Sequence, residues 1–447
     1  MLGREDGVLP EGGALVEHAR RRDTAWFATA SLLFVAVMLS VRGVASGEPE
    51  LTAVGAAGLL AARGLAVGRR TRPELVVCAL LLLAVARLSV LTGHEVVAIA
   101  VTLAAGRAAV LPARSPGPSD RRLRRHVEAL VQETADDAIA PFALRSDKAH
   151  VLSPDGRAAV AYAVRFGTAV ASGDAVGSPD ARADAVREFL RHARSQGWRP
   201  VVLAAREDQL ALWSEAGLRA VPIGRDVRLR PEDMDLTGRR FRNLRQAVSR
   251  THNAGVTTAV VAEGELAPSL RLELLDVVAA SGRSQHPRGF SMILDGLLDG
   301  THRDTFIAVA RAATGEAVAF QRFAMADAGR ELSLDLPYRR LSAPNGTDER
   351  LAVDVVRWAG ERGVRHVSLS FAPFPELFAA RERSAPQRLA YWAAHRLDPL
   401  LRVESLYRFL RKFHAFERRR YIALRPRDVV FAAAAALWLE FGPRRQP

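Results

Sequence analysis

Residues 332–371 carry the pattern that most restricts how this chain folds. A short apolar strand signal ends in Asp335, and Arg339 and Arg340 follow it closely. After a turn comes an amphipathic helix signal, and then a second apolar strand signal that ends near Ser370. A strand–helix–strand order places two parallel strands side by side, with polar groups at one edge of the sheet. The pattern therefore predicts an α/β fold with a small polar pocket beside Asp335.

Charge and length limit the class of protein. The chain has 447 residues, too many for one ordinary compact domain, so two or three units are expected. Its formal net charge is +14 and its pI about 11, which favours anionic partners such as nucleic acid or anionic lipid. Lysine occurs only at Lys148 and Lys412, so an isolated arginine is weak evidence for a binding site, whereas a cluster is stronger evidence.

Four apolar segments occupy the first quarter of the chain. Each is about 17 residues long, the lower end of what spans a bilayer, and they cover residues 25–41, 51–67, 75–91 and 96–111. Basic loops alternate with acidic ones, which predicts four transmembrane helices with both termini in the cytoplasm. A signal peptide is disfavoured because three further segments follow the first one. Buried helices of a soluble bundle are the remaining alternative. The single cysteine, Cys78, lies in this region, so neither a disulfide framework nor a cysteine metal site is expected.

The composition predicts five regions. They are a membrane domain at residues 1–112, a Pro-rich linker at 113–122, α/β domains at 123–235 and 236–427, and a tail at 428–447. The tail is expected to lie against the protein or the membrane interface, because its apolar run is too short to span. The two α/β regions repeat one order of strands and helices, which suggests a duplicated domain.

That order is similar to the fold of acetyl-CoA-dependent N-acetyltransferases. These enzymes bind pyrophosphate with a Gln/Arg-x-x-Gly-x-Gly/Ala loop at a helix N-terminus. The stretch nearest to that loop, residues 194–199, fails at its last position. A tandem acyltransferase fold with a donor other than acetyl-CoA is therefore expected.

Five blocks between Arg124 and Arg425 resemble the C-terminal synthase domain of the phosphatidylglycerol lysyltransferase family. In chain order they are residues 172–177, 241–248, 288–292, 333–335 with 345–346, and 406–413 with 420–421. The chain departs from the family pattern at Ala175, where the family has proline, and at Tyr338, where the family has arginine and this chain has Arg339 one position later. The family's large flippase half is not expected in this sequence, where four short apolar segments precede the synthase-like part.

The resemblance implies transfer of an aminoacyl group, here lysyl, from aminoacyl-tRNA to phosphatidylglycerol. The enzyme would sit in the inner (plasma) membrane with its catalytic domain in the cytoplasm, and its product would reduce the negative charge of the membrane. The lipid supplies the hydroxyl nucleophile and the ester is already activated, so no cofactor and no metal are expected. Alignment of the substrates contributes roughly 7–11 kcal/mol, and general base catalysis about 10²–10⁴-fold. Pocket shape, rather than any motif, sets which amino acid is transferred.

The resemblance also implies site residues. Asp335 is expected to bind the ammonium group of the amino acid or to accept the hydroxyl proton, and to be ionised because Arg339 and Arg340 flank it. Ser333 is the third catalytic candidate. The expected substrate-binding residues are Arg340, Asn345, Gly346, Ser370, Arg288, Gly289, Arg242, Asn243 and Arg245. His286 is an alternative base. The ordinary alternative for Asp335 is an Asp–Arg pair that caps a turn.

A dense basic stretch closes the α/β part. From Arg402 to Arg427 there are nine basic and two acidic residues, with aromatic residues between them. On a helix, such a stretch would carry cations on one face and aromatics on the other, which suits contact with anionic headgroups or tRNA phosphates. The expected contact residues are Arg408, Arg411, Lys412, Arg419 and Arg420. A solvated helix with a core-facing aromatic stripe is the ordinary alternative.

Two rival functions remain at this stage. A peptidoglycan-type transferase would use the same fold and donor but would acylate a cell-wall precursor. A non-catalytic protein that binds anionic lipid would explain the basic stretch and the departure at Tyr338.

Overall fold

A computed structural model describes residues 121–282, 289–379, 388, 395 and 403–442, with isolated positions 39, 54, 55 and 58. The chain divides into two compact units: residues 1–114 with 192–198, and residues 115–191 with 199–447. Of the first unit, only residues 192–198 and the four isolated positions are described. The predicted membrane segments at residues 25–111 lie outside the described part, apart from those isolated positions. Within the described residues, no helix combines the length and the apolar character needed to cross a bilayer.

The second unit is built on one mixed sheet. Its strands are β1 (Ala149–Leu152), β2 (Ala158–Arg165), β3 (Thr168–Ser172), β4 (Val176–Gly177), β5 (Arg199–Arg206), β6 (Arg219–Leu229), β7 (Thr257–Ala262), β8 (Thr305–Arg311), β9 (Ala317–Ala326), β10 (Glu331–Arg339), β11 (His366–Pro373) and β12 (Phe416–Leu424). The strand order is β1-β2-β3-β5-β12-β6-β11-β10-β9-β8-β7, and β4 pairs with β2.

Helices cover both faces of this sheet. They are α1 (Arg121–Gln132), α2 (Pro179–Ser195), α3 (Leu210–Ser214), α4 (Arg242–Asn253), α5 (Pro268–Ala280), α6 (Thr347–Gly360), α7 (Pro375–Ala379), α8 (Val403–Leu410) and α9 (Val429–Phe441). The strand–helix–strand pattern predicted at residues 332–371 corresponds to β10, α6 and β11.

The sheet contains two equivalent parallel pairs. The first is β3 with β5 and the second is β10 with β11, and every other pairing in the sheet is antiparallel. Each parallel pair is linked by a crossover helix, α2 in the first case and α6 in the second. This repeat matches the predicted duplication of an α/β unit.

The two halves exchange a strand. β12 comes from the end of the chain, yet it lies between β5 and β6 of the first half. β6 in turn pairs with β11 of the second half. A boundary after residue 235 therefore separates the two halves in the sequence, but strands from both halves pair within one common sheet. The division into two domains stays a prediction.

The basic stretch is a helix only in its first part. Helix α8 ends at Leu410, a short 3₁₀ turn follows, and His414 adopts a left-handed backbone conformation with φ 52°. Residues 416–424 then form β12. The expectation of one helical surface over this stretch is wrong, because a left-handed residue stops the helix and the next residues join the sheet.

Packing differs between the two faces of the second half. On one face, α4 and α6 cover a cluster that includes Leu244, Leu332 and Leu334. On the other face, α5 covers a cluster that includes Leu336 and Tyr338. Consecutive parts of β10 thus contribute to opposite faces, and this change of face positions the site.

Candidate active site

The site lies where β10 and β11 separate. The two strands pair in parallel only over Glu331–Ser333 and His366–Ser368. Beyond these residues, β10 continues beside β9 and β11 continues beside β6. The sheet is therefore open between the two strands, at the level of residues that follow Ser333. Such an opening at a parallel strand pair is a common place for ligands in α/β proteins.

Asp335 is the extra residue of a β-bulge at this opening. Leu334 pairs with Phe323 and Leu336 pairs with Arg322, so Asp335 has no direct partner on β9. The bulge turns both Asp335 and Leu336 toward the α5 side of the sheet, because Leu334 packs on the α6 side and Leu336 on the other. Pro337 follows directly, and a residue without a backbone N–H is tolerated beside such an irregularity.

The carboxylate of Asp335 is buried and only partly satisfied. Its Oδ1 accepts a 2.9 Å hydrogen bond from the backbone N–H of Leu294. Its Oδ2 lies 3.2 Å from Nη1 of Arg322, but no described group donates a hydrogen bond to it. Burial raises the pKa of Asp335 to about 6, while the Arg322 guanidinium acts in the opposite direction. An acceptor oxygen without a hydrogen bond and a pKa near neutrality suit either proton transfer or ammonium binding.

Arg322 holds the carboxylate within a buried charge network. Its Nε donates to Glu263 at 2.7 Å, and its two other nitrogens donate to the backbone oxygens of Asp295 and Gly296. Glu263 also accepts hydrogen bonds from the Leu298 N–H and the Thr305 hydroxyl. Each nitrogen of the guanidinium donates to a group of the protein, so Arg322 is held in place. It therefore fixes the position of the Asp335 carboxylate and does not move with a ligand.

Residues 289–302 form a loop over Asp335, which we call the covering loop. Arg145 donates hydrogen bonds to the backbone oxygens of Gly289, at 2.6 Å, and Ile293, at 2.8 Å. Glu440, on α9, accepts hydrogen bonds from the N–H groups of Phe290 and Ser291. Contacts from the first half and from the C-terminal helix thus place the Leu294 N–H against the carboxylate.

The structure corrects the expected surroundings of Asp335. Arg339 forms an ion pair at 3.4 Å with Asp348, at the start of α6, and so lies on the opposite side of the sheet. Arg340 contacts Glu316 and the backbone oxygen of Ala317. Neither arginine flanks Asp335: the bulge reverses the alternation of side chains and so moves Arg339 to the α6 side, and Arg340 is engaged five residues further along the chain by Glu316 and Ala317. The expectation that these arginines keep the carboxylate ionised is wrong.

Two further positions of this block are engaged within the protein. Ser333 is fully buried, and its hydroxyl donates a 2.6 Å hydrogen bond to the backbone oxygen of Ala138. Tyr338, the departure from the family pattern, is buried and stacks on Phe320 with 5.4 Å between ring centroids. The side chain of Ser370 and all of His286 and Arg288 lie outside the described residues.

The first half contains a second aspartate in the equivalent place. Ser172 ends the parallel pair of β3 with β5 and precedes Asp174 by two residues, as Ser333 precedes Asp335. Burial raises the pKa of Asp174 to about 6 as well. Both of its oxygens are satisfied, however, by the Arg206 N–H at 2.8 Å and the Trp213 indole N–H at 2.9 Å. Only the copy in the second half keeps a carboxylate oxygen without a hydrogen-bond donor, which favours that half as the reactive one.

A basic surface lies on the other side of the second half. Arg242, Asn243 and Arg245 are exposed on α4, and Leu244 between them is fully buried. Arg240 donates a hydrogen bond to the backbone oxygen of His414, which joins α4 to the turn after α8. The exposed residues Arg239, Arg240, Arg242, Arg245 and Arg411 together form what we call the α4 basic surface.

Asn345 and Gly346 lie beside this surface rather than beside Asp335. Gly346 is the N-cap of α6 with φ 102°, and a Cβ there would lie 2.9 Å from the backbone oxygen of Ala247 on α4. Glycine is required because α4 approaches α6 closely at a left-handed residue. Asn345 is exposed next to it. A role in forming the α4–α6 contact accounts for Gly346.

The residues expected to contact tRNA or lipid differ in their environment. Arg411 and Arg419 are exposed. Arg408 is exposed but ion-paired with Glu404, and Lys412 is ion-paired with Glu349 on α6. Arg420 is 1% exposed and pairs with Asp226 at 2.7 Å and Asp137 at 2.9 Å. The expectation that Arg420 contacts a ligand is wrong, since β12 turns it into the core.

One group of side chains in the described part has a geometry that a metal ion could use. Asp136, Glu331 and His366 place possible ligand atoms within 4.8 Å of one another. The Arg228 guanidinium lies among them, 2.8 Å from Asp136 and 2.6 Å from Glu331. Burial raises the pKa of Glu331 to about 7 and lowers that of His366 to about 4. Arginine already supplies the positive charge here, so the cluster is a structural charge network.

The fold and the buried carboxylate together define an acyltransferase-like α/β protein. Two α/β halves with parallel pairs share one sheet, and the second half opens beside Asp335. The sequence profile described as "Phosphatidylglycerol lysyltransferase, C-terminal" matches residues 128–424. The chain therefore belongs to the phosphatidylglycerol lysyltransferase family, as the sequence motifs indicated.

Relatives agree with this assignment. An MprF-like domain protein of Mycobacterium tuberculosis is 46% identical over 326 residues, which is 72% of this chain and 67% of that protein. The lysylphosphatidylglycerol biosynthesis bifunctional protein LysX of Rhodococcus opacus is 34% identical over 255 residues, 57% of this chain. The matched region is 23% of LysX, so this chain spans about a quarter of that relative.

Solved structures show the same fold. The C-terminal domain of a putative lysylphosphatidylglycerol synthetase from Agrobacterium fabrum superimposes with a TM-score of 0.63 at 24% identity, covering 73% of this chain and 100% of that one. The L-PGS structure from Bacillus licheniformis gives a TM-score of 0.60 at 23% identity, covering 73% and 99%.

Proposed function

We propose that this protein transfers an aminoacyl group, lysyl in the first instance, from aminoacyl-tRNA to phosphatidylglycerol at the membrane. Membership of the phosphatidylglycerol lysyltransferase family over residues 128–424 supports the acceptor and the reaction class. The single structural observation that carries the proposal is the buried Asp335 carboxylate, which lies where β10 and β11 separate and keeps one oxygen that accepts no hydrogen bond from any described group.

In the proposed reaction, a glycerol hydroxyl oxygen of the lipid attacks the aminoacyl carbonyl carbon. The tetrahedral intermediate collapses, the bond to the ribose oxygen breaks, and that oxygen takes up the proton. Asp335 either accepts the hydroxyl proton and passes it on, or holds the ammonium group so that the ester carbonyl faces the hydroxyl. A carboxylate with a pKa of about 6 is suited to proton transfer near neutral pH.

The α4 basic surface is our proposed site for the tRNA backbone. Its five exposed arginines belong to α4, to the turn before it and to the turn after α8. Contacts of this kind are electrostatic and fall with salt concentration. The proposal keeps Arg242, Arg245 and Arg411 as substrate contacts, with Asn243 exposed beside them.

The test is transfer by the full chain in phosphatidylglycerol vesicles. tRNA charged with radiolabelled lysine is supplied, and the lipids are extracted and separated by chromatography; alanyl-tRNA is run in parallel. We expect a labelled lipid from the wild type and none from Asp335→Asn. Label in a cell-wall precursor instead of lipid would favour the peptidoglycan-type alternative. Binding of vesicles without any labelled product would favour a non-catalytic lipid-binding protein.

A further inference from the structure

Helix α9 is apolar on both of its faces. Its thirteen residues, Val429–Phe441, contain one charged side chain, Glu440. Ala432 and Ala435 are buried, and they pack with Val170, Val201 and Leu203 of the sheet. This face is the one that attaches the helix to the protein.

The opposite face is exposed. Its residues follow the helical spacing i, i+3, i+4, i+7, i+8 and are Val430, Ala433, Ala434, Leu437 and Trp438. Val430 is 73% exposed and Leu437 56% exposed. A helix that is apolar all round is normally buried on all sides, so this face is unusual for a surface in water. We call these five residues the α9 apolar face.

A second element extends this face. Phe166, at the turn between β2 and β3, is 52% exposed and meets Trp438 edge-on with 5.6 Å between ring centroids. Its backbone is left-handed with φ 49°, a costly conformation for an aromatic residue. The turn therefore presents an aromatic ring to the outside, next to the exposed tryptophan.

Two exposed arginines border the apolar residues. Arg165 precedes Phe166, and Arg427 lies two residues before α9 begins. The Arg199 guanidinium, which is ion-paired with Asp428 at 3.2 Å, lies 4.0 Å from the ring centre of Phe431. Aromatic and aliphatic side chains bordered by arginine match a bilayer interface that carries anionic headgroups.

We propose that the α9 apolar face and Phe166 dock onto the surface of an anionic lipid bilayer, with α9 in the plane of the interface. The helix is about 20 Å long at 1.5 Å per residue, too short to span the hydrocarbon core. Glu440 links this surface to the site, because it binds the Phe290 and Ser291 N–H groups of the covering loop. The inference rests on the proposed function, because docking would bring the site to its lipid acceptor. Its test, however, requires no lipid synthesis.

The experiment uses site-directed spin labels in the full chain on a Cys78→Ala background. A nitroxide is attached after Val430→Cys, and, as a matched control, after Leu272→Cys, where an exposed leucine on α5 is 66% accessible. Accessibility to oxygen and to a polar nickel chelate is compared between detergent and vesicles of phosphatidylcholine with phosphatidylglycerol. We expect the label at 430 to lose chelate accessibility several-fold and to gain oxygen accessibility in vesicles. The label at 272 should keep its chelate accessibility.

Three results would overturn the docking proposal. The label at 430 could remain as accessible to the chelate as the label at 272. It could be shielded from both reagents already in detergent, which would mean that protein covers it. It could show dipolar coupling to a second molecule, which would mean that the face joins two copies. If the label at 430 shows the expected insertion into the bilayer but no lipid is synthesised, the result counts against the proposed function alone.

A kinetic readout complements the depth measurement. The double variant Val430→Asp with Leu437→Asp should reduce synthesis on vesicles through a higher apparent KM for lipid. Synthesis on dispersed short-chain phosphatidylglycerol should be unchanged, because the exposed residues contribute nothing to the core. An equal loss on both lipids would show that the substitutions damage the fold or the site, and would count against docking by this face.

Discussion

The Asp335 carboxylate lies 3.2 Å from the Arg322 guanidinium, and both side chains are inaccessible to solvent. Arg322 reaches it from β9, the neighbouring antiparallel strand, while Glu263 occupies the other side of the same guanidinium. The carboxylate is thus held by a cation that is itself fixed by three hydrogen-bond acceptors, the Glu263 carboxylate and the backbone oxygens of Asp295 and Gly296. This arrangement gives the site a defined geometry before any substrate arrives.

The first prediction compares two equivalent aspartates. Asp335→Asn should abolish aminoacyl transfer and leave the circular dichroism spectrum unchanged, since the amide oxygen can still accept the Leu294 N–H. Asp174→Asn should instead destabilise the protein by about 1–3 kcal/mol, because one of its two donors then faces an amide NH₂. Transfer and thermal unfolding are measured for both variants. Near-wild-type transfer by Asp335→Asn would remove this carboxylate from the mechanism.

The second prediction concerns pH. The pKa of Asp335 is raised from 3.8 in the unfolded chain to about 6, so the folded state binds more protons between those values. Stability relative to Asp335→Asn should therefore fall as pH rises from about 4 to 6, by about 3 kcal/mol at most. Urea unfolding of both proteins across this range gives the difference. Parallel stability curves would show that the pKa is not raised.

The third prediction concerns Arg339, the candidate for the family arginine. Arg339→Ala should reduce transfer only slightly, about threefold or less, because its partner Asp348 lies on the opposite side of the sheet from Asp335. Steady-state transfer rates of the variant and the wild type decide this. A loss of two orders of magnitude in a folded protein would restore a catalytic role for Arg339.

The fourth prediction uses two adjacent arginines of β12. Arg420→Met should destabilise the fold by about 3–5 kcal/mol, because it leaves Asp137 and Asp226 buried without their cation. Arg419→Ala should leave stability unchanged, since Arg419 is exposed. If Arg419 contacts a phosphate, its loss should weaken tRNA binding at low salt and reduce the salt dependence. Denaturation midpoints and filter binding separate the two effects, and equal stability of both variants would contradict the buried pairing.

The fifth prediction concerns the contact between α4 and α6. Gly346→Ala should cost more stability than Gly363→Ala, although both glycines have positive φ. At Gly346 a Cβ would lie 2.9 Å from the Ala247 oxygen, whereas nothing lies within 4 Å at Gly363. We expect backbone strain alone to lower the free energy of unfolding of each variant by about 1–2 kcal/mol. The clash with the Ala247 oxygen should lower that of Gly346→Ala further. Unfolding curves of the two variants test the order.

Several sequence signals predicted local structure correctly, independently of the tertiary contacts. The strand–helix–strand pattern at residues 332–371 forms β10, α6 and β11, because apolar periodicity and a glycine N-cap are local properties. The motif blocks also identified the family, and Asp335 as the carboxylate to consider. Nothing in the sequence signalled Arg322, Glu263 or the Leu294 N–H, since these groups come from separate segments and meet only across the sheet.

The tertiary structure decided which face each side chain occupies. A one-residue bulge at Asp335 moves Arg339 to the far side, and a local pattern cannot specify it because the strand partner sets the register. Likewise, Arg419 and Arg420 are indistinguishable in a run of arginines until β12 pairs with β5 and β6. One then points to solvent and the other pairs with two buried aspartates. Sequence determined β10, α6, β11 and the carboxylate at the site, and the pairing of distant strands determined which residues meet.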